Sequence, residues 1–344
     1  QSPKLWLPLS GIAIHINYDS FILFITEEEL IVSRYTTIAA ETRVIKENNF
    51  NSIINILNAE GWLGGTVGLE MWSYRPNRAV SDMFHAALMN AGCQVADGSD
   101  IVRKIRATKS PQELTYHETA ARIADIGLQA AIDALRPGAS ELDIYAEITY
   151  AMAKAGGETP AIPPRVLSGS KSAGNHALAS RRQIMPGDLV TIDLCGVYNR
   201  YHSNVGRTFS VGDPDPDVAH VLDLAAKAMD VVQDIIRPNL PVDALNRLIQ
   251  AYYHETGIWD DRLWIGGYEM GLAFPPDWVG SFVYDPDLPA NGHVFRSGTV
   301  VNYESNFYLP QNSGASMLVD TIIFGHSQAH LLSKIPYDLQ VISA

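Results

Sequence analysis

The chain is short of cysteine, of basic residues and of long apolar runs, and each shortage removes a class of protein. Its 344 residues include two cysteines, Cys93 and Cys195, too few and too far apart for a disulfide framework or a thiolate metal cage. That usage fits a reducing, cytoplasmic compartment. Lysine and arginine number 25 against 38 aspartates and glutamates, a formal charge of -13. Neither nucleic acid nor an anionic membrane surface is therefore expected as a partner, whereas a cationic or zwitterionic small-molecule substrate is compatible. No apolar run approaches the roughly 18 residues of a membrane span, and no basic segment followed by an apolar stretch opens the chain. Gln1 stands first in place of methionine, which leaves upstream residues open. The remainder is ordinary, with 47% hydrophobic residues, a mean hydropathy of -0.01 and length enough for two domains.

The first hundred or so residues alternate strand-like and helix-like segments. Ser20 to Ile25 and Glu29 to Ser33 read as paired strands, Asn51 to Glu60 and Val80 to Ala91 as helices, and Thr66 to Glu70 as a strand. A boundary is expected at 108/109, because Ser110-Pro111 with Glu113 is a helix start. One helix then runs to Leu135, and a second runs from Ser140 to about Ala155. The phrase Arg136-Pro137-Gly138 before a new helix returns as Arg237-Pro238-Asn239 before Pro241-Val242-Asp243. This weak internal repeat predicts two αβ halves sharing a core, with a cleft between them.

Val190 to Tyr198 and Tyr201 to Phe209 read as a β-hairpin around Asn199-Arg200. Asp193 has apolar residues on both sides, and a carboxylate there is costly unless it meets a metal, a cation or several donors. A strand-end acid satisfied by backbone is the competing reading. Glu304, in the strand Val300 to Phe307 with Asn302, repeats the anomaly. Two such acids in one cleft would have to share a proton or hold a cation. His176 lies in a polar, glycine-bearing loop upstream of the hairpin, and a loop histidine is cheap to solvate. Gly266 to Trp278 places Tyr268, Glu269, Phe274 and Trp278 among glycines and prolines, suited to walling a pocket or forming a stiff loop. Asp320, in the last strand, reads as a structural acid.

With these residues laid out, the span from about Arg103 to Phe324 resembles the creatinase, prolidase and aminopeptidase P family. The carriers are Arg106-Ala107-Thr108-Lys109-Ser110, Pro186 to Asp193, and Arg207-Thr208-Phe209. The resemblance implies an α+β protein: a pita-bread domain over 109–344, with two pseudo-symmetric αβ halves around a curved antiparallel sheet, behind a shortened N-terminal α/β domain over 1–108. Peptidase members of the family bind two metal ions through two aspartates, a histidine and two glutamates. Here Asp193 and Glu304 match, but Asn204 stands at the second aspartate, Tyr268 at the histidine, Pro275-Pro276 at a His-Glu pair and Val319 at the last glutamate.

A divalent ion needs about four ligands, so a dinuclear centre is not expected and the site is read without metal or cofactor, a single weak ion between Asp193, Glu304 and water being the alternative left open. The loop Gly267-Tyr268-x-x-Gly271 with Pro275-Pro276-Asp277-Trp278 resembles ectoine hydrolase, and the His176 position resembles that of creatinase. The resemblance then implies metal-independent hydrolysis of a C–N bond in a small guanidino, amidine-like or cyclic substrate. His176 would be the general base, Asp193 and Glu304 would hold the substrate, and Tyr268 would stabilise charge. His202, Asn204, Arg207, Glu269, Phe274, Trp278, Asn302 and Val319 would contact the substrate, with Arg207 holding a substrate carboxylate if it faces the cleft. Three alternatives stand beside this: a metal-dependent Xaa-Pro dipeptidase-like enzyme or lyase with altered ligands, a non-catalytic small-molecule-binding protein, and a metal-free lyase or decarboxylase. A homodimer is expected from the family.

Overall fold

The computed structural model describes residues 11–17, 19, 21–45, 50–72 and 76–344. It divides between Val102 and Arg103 into two compact units. In the first, β1 (Gly11–Ile14) pairs antiparallel with β2 (Phe21–Ile25), which pairs parallel with β3 (Glu41–Val44) across α1 (Leu30–Thr36). Ile22, Phe24, Ile45, Ile53 and Leu57 form its core with the help of α2 (Phe50–Ala59). A second parallel pair, β4 (Thr66–Leu69) and β5 (Gln94–Asp97), is connected through α3 (Arg78–Asn90). The helix α4 (Ser99–Ala107) contains the division.

One expectation fails here. The segment Glu29 to Ser33, expected as a strand, is instead the end of a 3-10 turn and the start of α1. Three acids, Glu27 to Glu29, precede it in a single 3-10 turn, and negative charge favours a helix N-terminus. Of the strand expected from Ser20, Ser20 itself lies outside the described residues.

The second unit begins with α5 (Pro111–Ala134) and α6 (Glu141–Lys154). Each starts in a capping box, Ser110 with Glu113 and Ser140 with Asp143, in which hydroxyl and carboxylate satisfy each other's backbone donors. Three strands follow, β6 (Arg165–Ser168), β7 (Leu189–Tyr198) and β8 (Tyr201–Val211). The turn between β7 and β8 is the expected Asn199-Arg200, and both residues have positive φ, 48° and 65°, as the twist of a two-residue hairpin requires. The pattern then repeats. After α7 (Pro216–Ile235), β9 (Leu240–Pro241) and α8 (Val242–Thr256) come β10 (Arg262–Tyr268), β11 (Val283–Tyr284), β12 (Val294–Phe295), β13 (Thr299–Phe307) and β14 (Val319–Phe324). Two short strands, β15 (Ala329–Leu331) and β16 (Gln340–Ile342), close the chain against β14 and β8.

The main sheet runs β11-β10-β13-β14-β8-β7-β6, and β14 joins β8 where the two halves meet. Alternation assigns its faces. Val190, Ile192, Leu194, Val205 and Phe209 pack with Leu128, Ile144 and Ile148 of α5 and α6. Val301, Tyr303, Phe307, Ile322 and Phe324 pack with Val221, Met229, Leu245 and Tyr253 of α7 and α8. The alternate positions, among them Asp193, Asn204, Asn302, Glu304 and Asn306, are also buried, yet polar. Among the described residues no helix is long and apolar enough to cross a membrane.

Candidate active site

One row of the sheet builds the site. Arg165 on β6 lies opposite Asp193 on β7, Asp193 opposite Gly206 on β8, Gly206 opposite Val319 on β14, and Val319 opposite Glu304 on β13. Residues opposite one another in a ladder share a face, so both anomalous acids rise from the same surface, one from each half. Gly206 keeps the floor between them low. A Cβ there would come within 2.9 Å of Val319 and Met317 side chains.

Asp193 receives the Nη2 of Arg165 and, at 2.6 Å, the Nδ2 of Asn204. Burial opposes the charge on Arg165, and the neighbouring Asp193 and Glu304 outweigh it, so its pKa is raised. Among the described residues Glu304 has no ion-pair partner of its own. Its two oxygens accept from Nδ2 of Asn302 at 2.9 Å and of Asn306 at 2.8 Å. Burial first, and the charge of Asp193 second, push its carboxyl up to about 7, against the pull of Arg165 and the two amides. Asn302 ties the halves together, because its Nδ2 also reaches Oδ1 of Asn204 at 3.2 Å and its Oδ1 accepts the Tyr268 amide N–H at 2.8 Å.

Tyr268 is held by Trp278, whose Nε1 donates to its hydroxyl oxygen at 2.9 Å. Burial, then the charges of Glu304 and Asp193, push its hydroxyl well above the usual range. The phenol therefore stays protonated, with its own hydrogen free to donate.

Asp193, Asn204, Tyr268, Trp278, Asn302, Val319 and Glu304 are thus gathered at or beside this row. Four other expected contacts are corrected. Arg207 projects from the opposite face of β8, where Asp320 at 3.0 Å and the carbonyls of Gly206, Val319, Ile335 and Pro336 take its donors. No N–H remains for a substrate carboxylate. His202 spends both ring nitrogens on backbone, Nε2 accepting from Ala161 at 3.0 Å and Nδ1 donating to the Arg200 carbonyl at 2.9 Å. Burial lowers its pKa to about 4, so it is a neutral structural imidazole. Glu269 is buried against Lys109 and also accepts from Ser281. Phe274 is 60% exposed, with the Arg200 guanidinium over its ring, and is no part of this row. His176 lies in an exposed turn; its neighbour Asn175 gives its carbonyl to Nη1 of Arg165 at 2.7 Å.

Arg165, Asn175 and Asn306 escaped the sequence reading. The signal for Arg165 was present, since it begins the buried strand Arg165-Val166-Leu167-Ser168 and is a charge beside apolar residues, like Asp193. Its sign matched the partner that Asp193 required.

Residues 115–325 match Metallopeptidase family M24, more than half of the chain, and the protein belongs to that family. The chain is 27% identical over 334 residues to the Xaa-Pro dipeptidase of Pyrococcus furiosus, covering 96% of this chain and 90% of that one. It superposes on the X-Pro aminopeptidase of Thermotoga maritima with a TM-score of 0.82 at 20% identity, over 97% and 90% of the two chains. That likeness fixes the fold, the expected α+β pita-bread architecture. Ectoine hydrolase of Halomonas elongata is 28% identical over 236 residues, covering 65% of this chain and 57% of that one.

These likenesses correct the expectation of a metal-independent, creatinase-like hydrolase of guanidino, amidine-like or cyclic C–N bonds. Relatives matched along nearly the whole chain are Xaa-Pro dipeptidases and the family is one of metallopeptidases, while the ectoine hydrolase likeness stops at about two thirds of the chain. The residues present do not fit the two-metal centre that such a family implies. Among the described residues no three His, Cys, Asp or Glu side chains stand together as ligands. Amide, phenol and isopropyl groups flank the acids, and Arg165 sits on the carboxylate of Asp193.

Proposed function

We propose that the protein hydrolyses a peptide bond in short peptides of the Xaa-Pro type. The carrying observation is the whole-chain likeness to an Xaa-Pro dipeptidase, joined to a pair of buried acids on one sheet row. In this reading Glu304, with a carboxyl near pH 7, takes a proton from the attacking water and returns it to the leaving nitrogen. Tyr268 donates its free hydrogen to the oxygen on which charge develops. Asp193 stays fixed by Arg165 and Asn204 and supplies negative charge that attracts the cationic end of the substrate. His176, in the exposed turn beside Asn175, is the second candidate base.

A panel of Xaa-Pro dipeptides, incubated with and without added manganese, cobalt or zinc and assayed for free proline by chromatography, tests the proposal. Release of proline that is lost in Glu304→Gln supports it, and no release under any of these conditions overturns it. A second reading, a non-catalytic small-molecule-binding protein, is favoured by Asn204, Tyr268 and Val319 standing where the resemblance puts metal ligands. It expects the dipeptides to bind and to be recovered intact. The proposal includes a cytoplasmic homodimer; a light-scattering mass near the 37.7 kDa of one chain would contradict the dimer.

A further inference from the structure

Two buried polar atoms beside the acid pair have no partner among the described residues. One is the Nε of Arg165, a donor, and the other is the Oδ1 of Asn175, an acceptor. The Arg165 side chain is only 10% exposed. Its other nitrogens are committed, Nη2 to Asp193 and Nη1 to the Asn175 carbonyl, so the two residues with unsatisfied atoms are themselves bonded to each other. Buried polar groups are nearly always paired, and an exception calls for an explanation.

Looseness of the loop does not supply one. Glu141, fully buried at the start of α6, accepts from the backbone and hydroxyl of Ser168 at 2.9 and 2.8 Å, from Lys171 at 2.5 Å, and from the backbone and hydroxyl of Ser180 at 2.9 and 2.8 Å. One carboxylate thus fastens both ends of the segment that carries Asn175. The loop is pinned at its ends by Glu141 and near its middle by Arg165, yet still leaves one donor and one acceptor unused.

We infer that Arg165 and Asn175 bind the aminoacyl end of the substrate, Nε–H donating to its carbonyl oxygen and Oδ1 accepting from its free α-ammonium. A guanidinium N–H requires an acceptor and an amide oxygen requires a donor, and an amino-terminal residue presents both, its nitrogen and carbonyl oxygen three bonds apart. Charge agrees. The Arg165 cation is already matched by Asp193, and Glu304 adds a second negative charge when ionised, so the surroundings favour an ammonium over a second carboxylate. Arg165 is then a substrate-binding residue and Asn175 the one that requires a free amino terminus. This deepens the peptidase reading by naming the end of the peptide that is gripped.

Alaninamide and N-acetylalaninamide, titrated by NMR into the intact protein, test the assignment, because neither contains an Xaa-Pro bond. The wild-type protein should bind alaninamide roughly tenfold more tightly than the acetylated compound. Asn175→Leu should abolish that preference, while Arg165→Lys, which keeps the charge but lacks the Nε–H, should weaken both ligands; thermal melts confirm that each variant is folded. Equal binding of the two compounds to wild type, no binding of either, or an undiminished preference in Asn175→Leu would overturn the inference. Proline release from the dipeptide panel is read separately. Its absence with the amino-terminal preference intact sinks only the peptidase reading, and turnover without the preference sinks only this one.

Discussion

The two halves of the sheet each contribute one acid to the site and treat it differently. In the half formed by β6 to β8, Asp193 has a cation directly across the ladder and an amide beside it. In the half formed by β10, β13 and β14, Glu304 has only two asparagine amides, and its carboxyl is pushed up to about 7. Burial is common to both, so the arginine makes the difference. A buried carboxylate with a full counter-charge is engaged in an ion pair, whereas Glu304, with dipoles alone, is poised to take or give a proton near neutrality.

The largest effect should come from removing that arginine. Arg165→Met strands Asp193 as an uncompensated buried charge, and urea denaturation should show a loss of about 3–5 kcal/mol. It also removes a positive neighbour of Glu304, so the Glu304 pKa should climb further, readable by NMR of carbon-13-labelled glutamate carboxyls. A variant of unchanged stability would mean that the two acids are not differently compensated.

Glu304→Gln should sharpen the contrast through pH. The folded-state pKa of Glu304 is raised from 4.5 to about 7, so between these values the folded protein holds a proton that the unfolded chain has released. Stability contributed by this group is therefore present below about pH 4.5 and is lost as pH rises through 7. The gap of some two to three units corresponds to roughly 3 kcal/mol. The glutamine variant should accordingly lose less stability than wild type between pH 5 and pH 8, and parallel melting curves across that range would refute the assignment. If Glu304 is the base, kcat/KM of the wild-type protein should also rise through about pH 7.

The smallest effect belongs to Asn306→Ala, which deletes one of the two amides that favour ionised Glu304. Its loss should raise the Glu304 pKa modestly and cost about 1 kcal/mol, with little change at Asp193. Equal perturbation of both acids would show the halves to be coupled through Asn302 rather than separately tuned.

Much of the fold was legible because its signals are local. Ser110 and Ser140 announced their helices through side chains that reach three residues along the chain, and Asn199-Arg200 announced the hairpin through a turn only two residues long. Glu29 to Ser33 was misread because a short apolar run suits strand and helix equally, and the acids before it settled the matter. At the site, the anomaly of Asp193 and Glu304 was visible as charge among apolar residues. Arg207 and Glu269 were misassigned because their partners, Asp320 and Lys109, are distant in sequence.

The sequence by itself determined that two acids would lie in apolar strands, and the resemblance put asparagine, tyrosine and valine at three positions where peptidase members carry metal ligands. Only the tertiary structure decided what answers those acids. Which residues face one another across a ladder depends on register between strands far apart in the chain, and that register is set by packing of the opposite faces on α5 to α8. It placed Arg165 against Asp193, a glycine between the acids, and amides alone around Glu304.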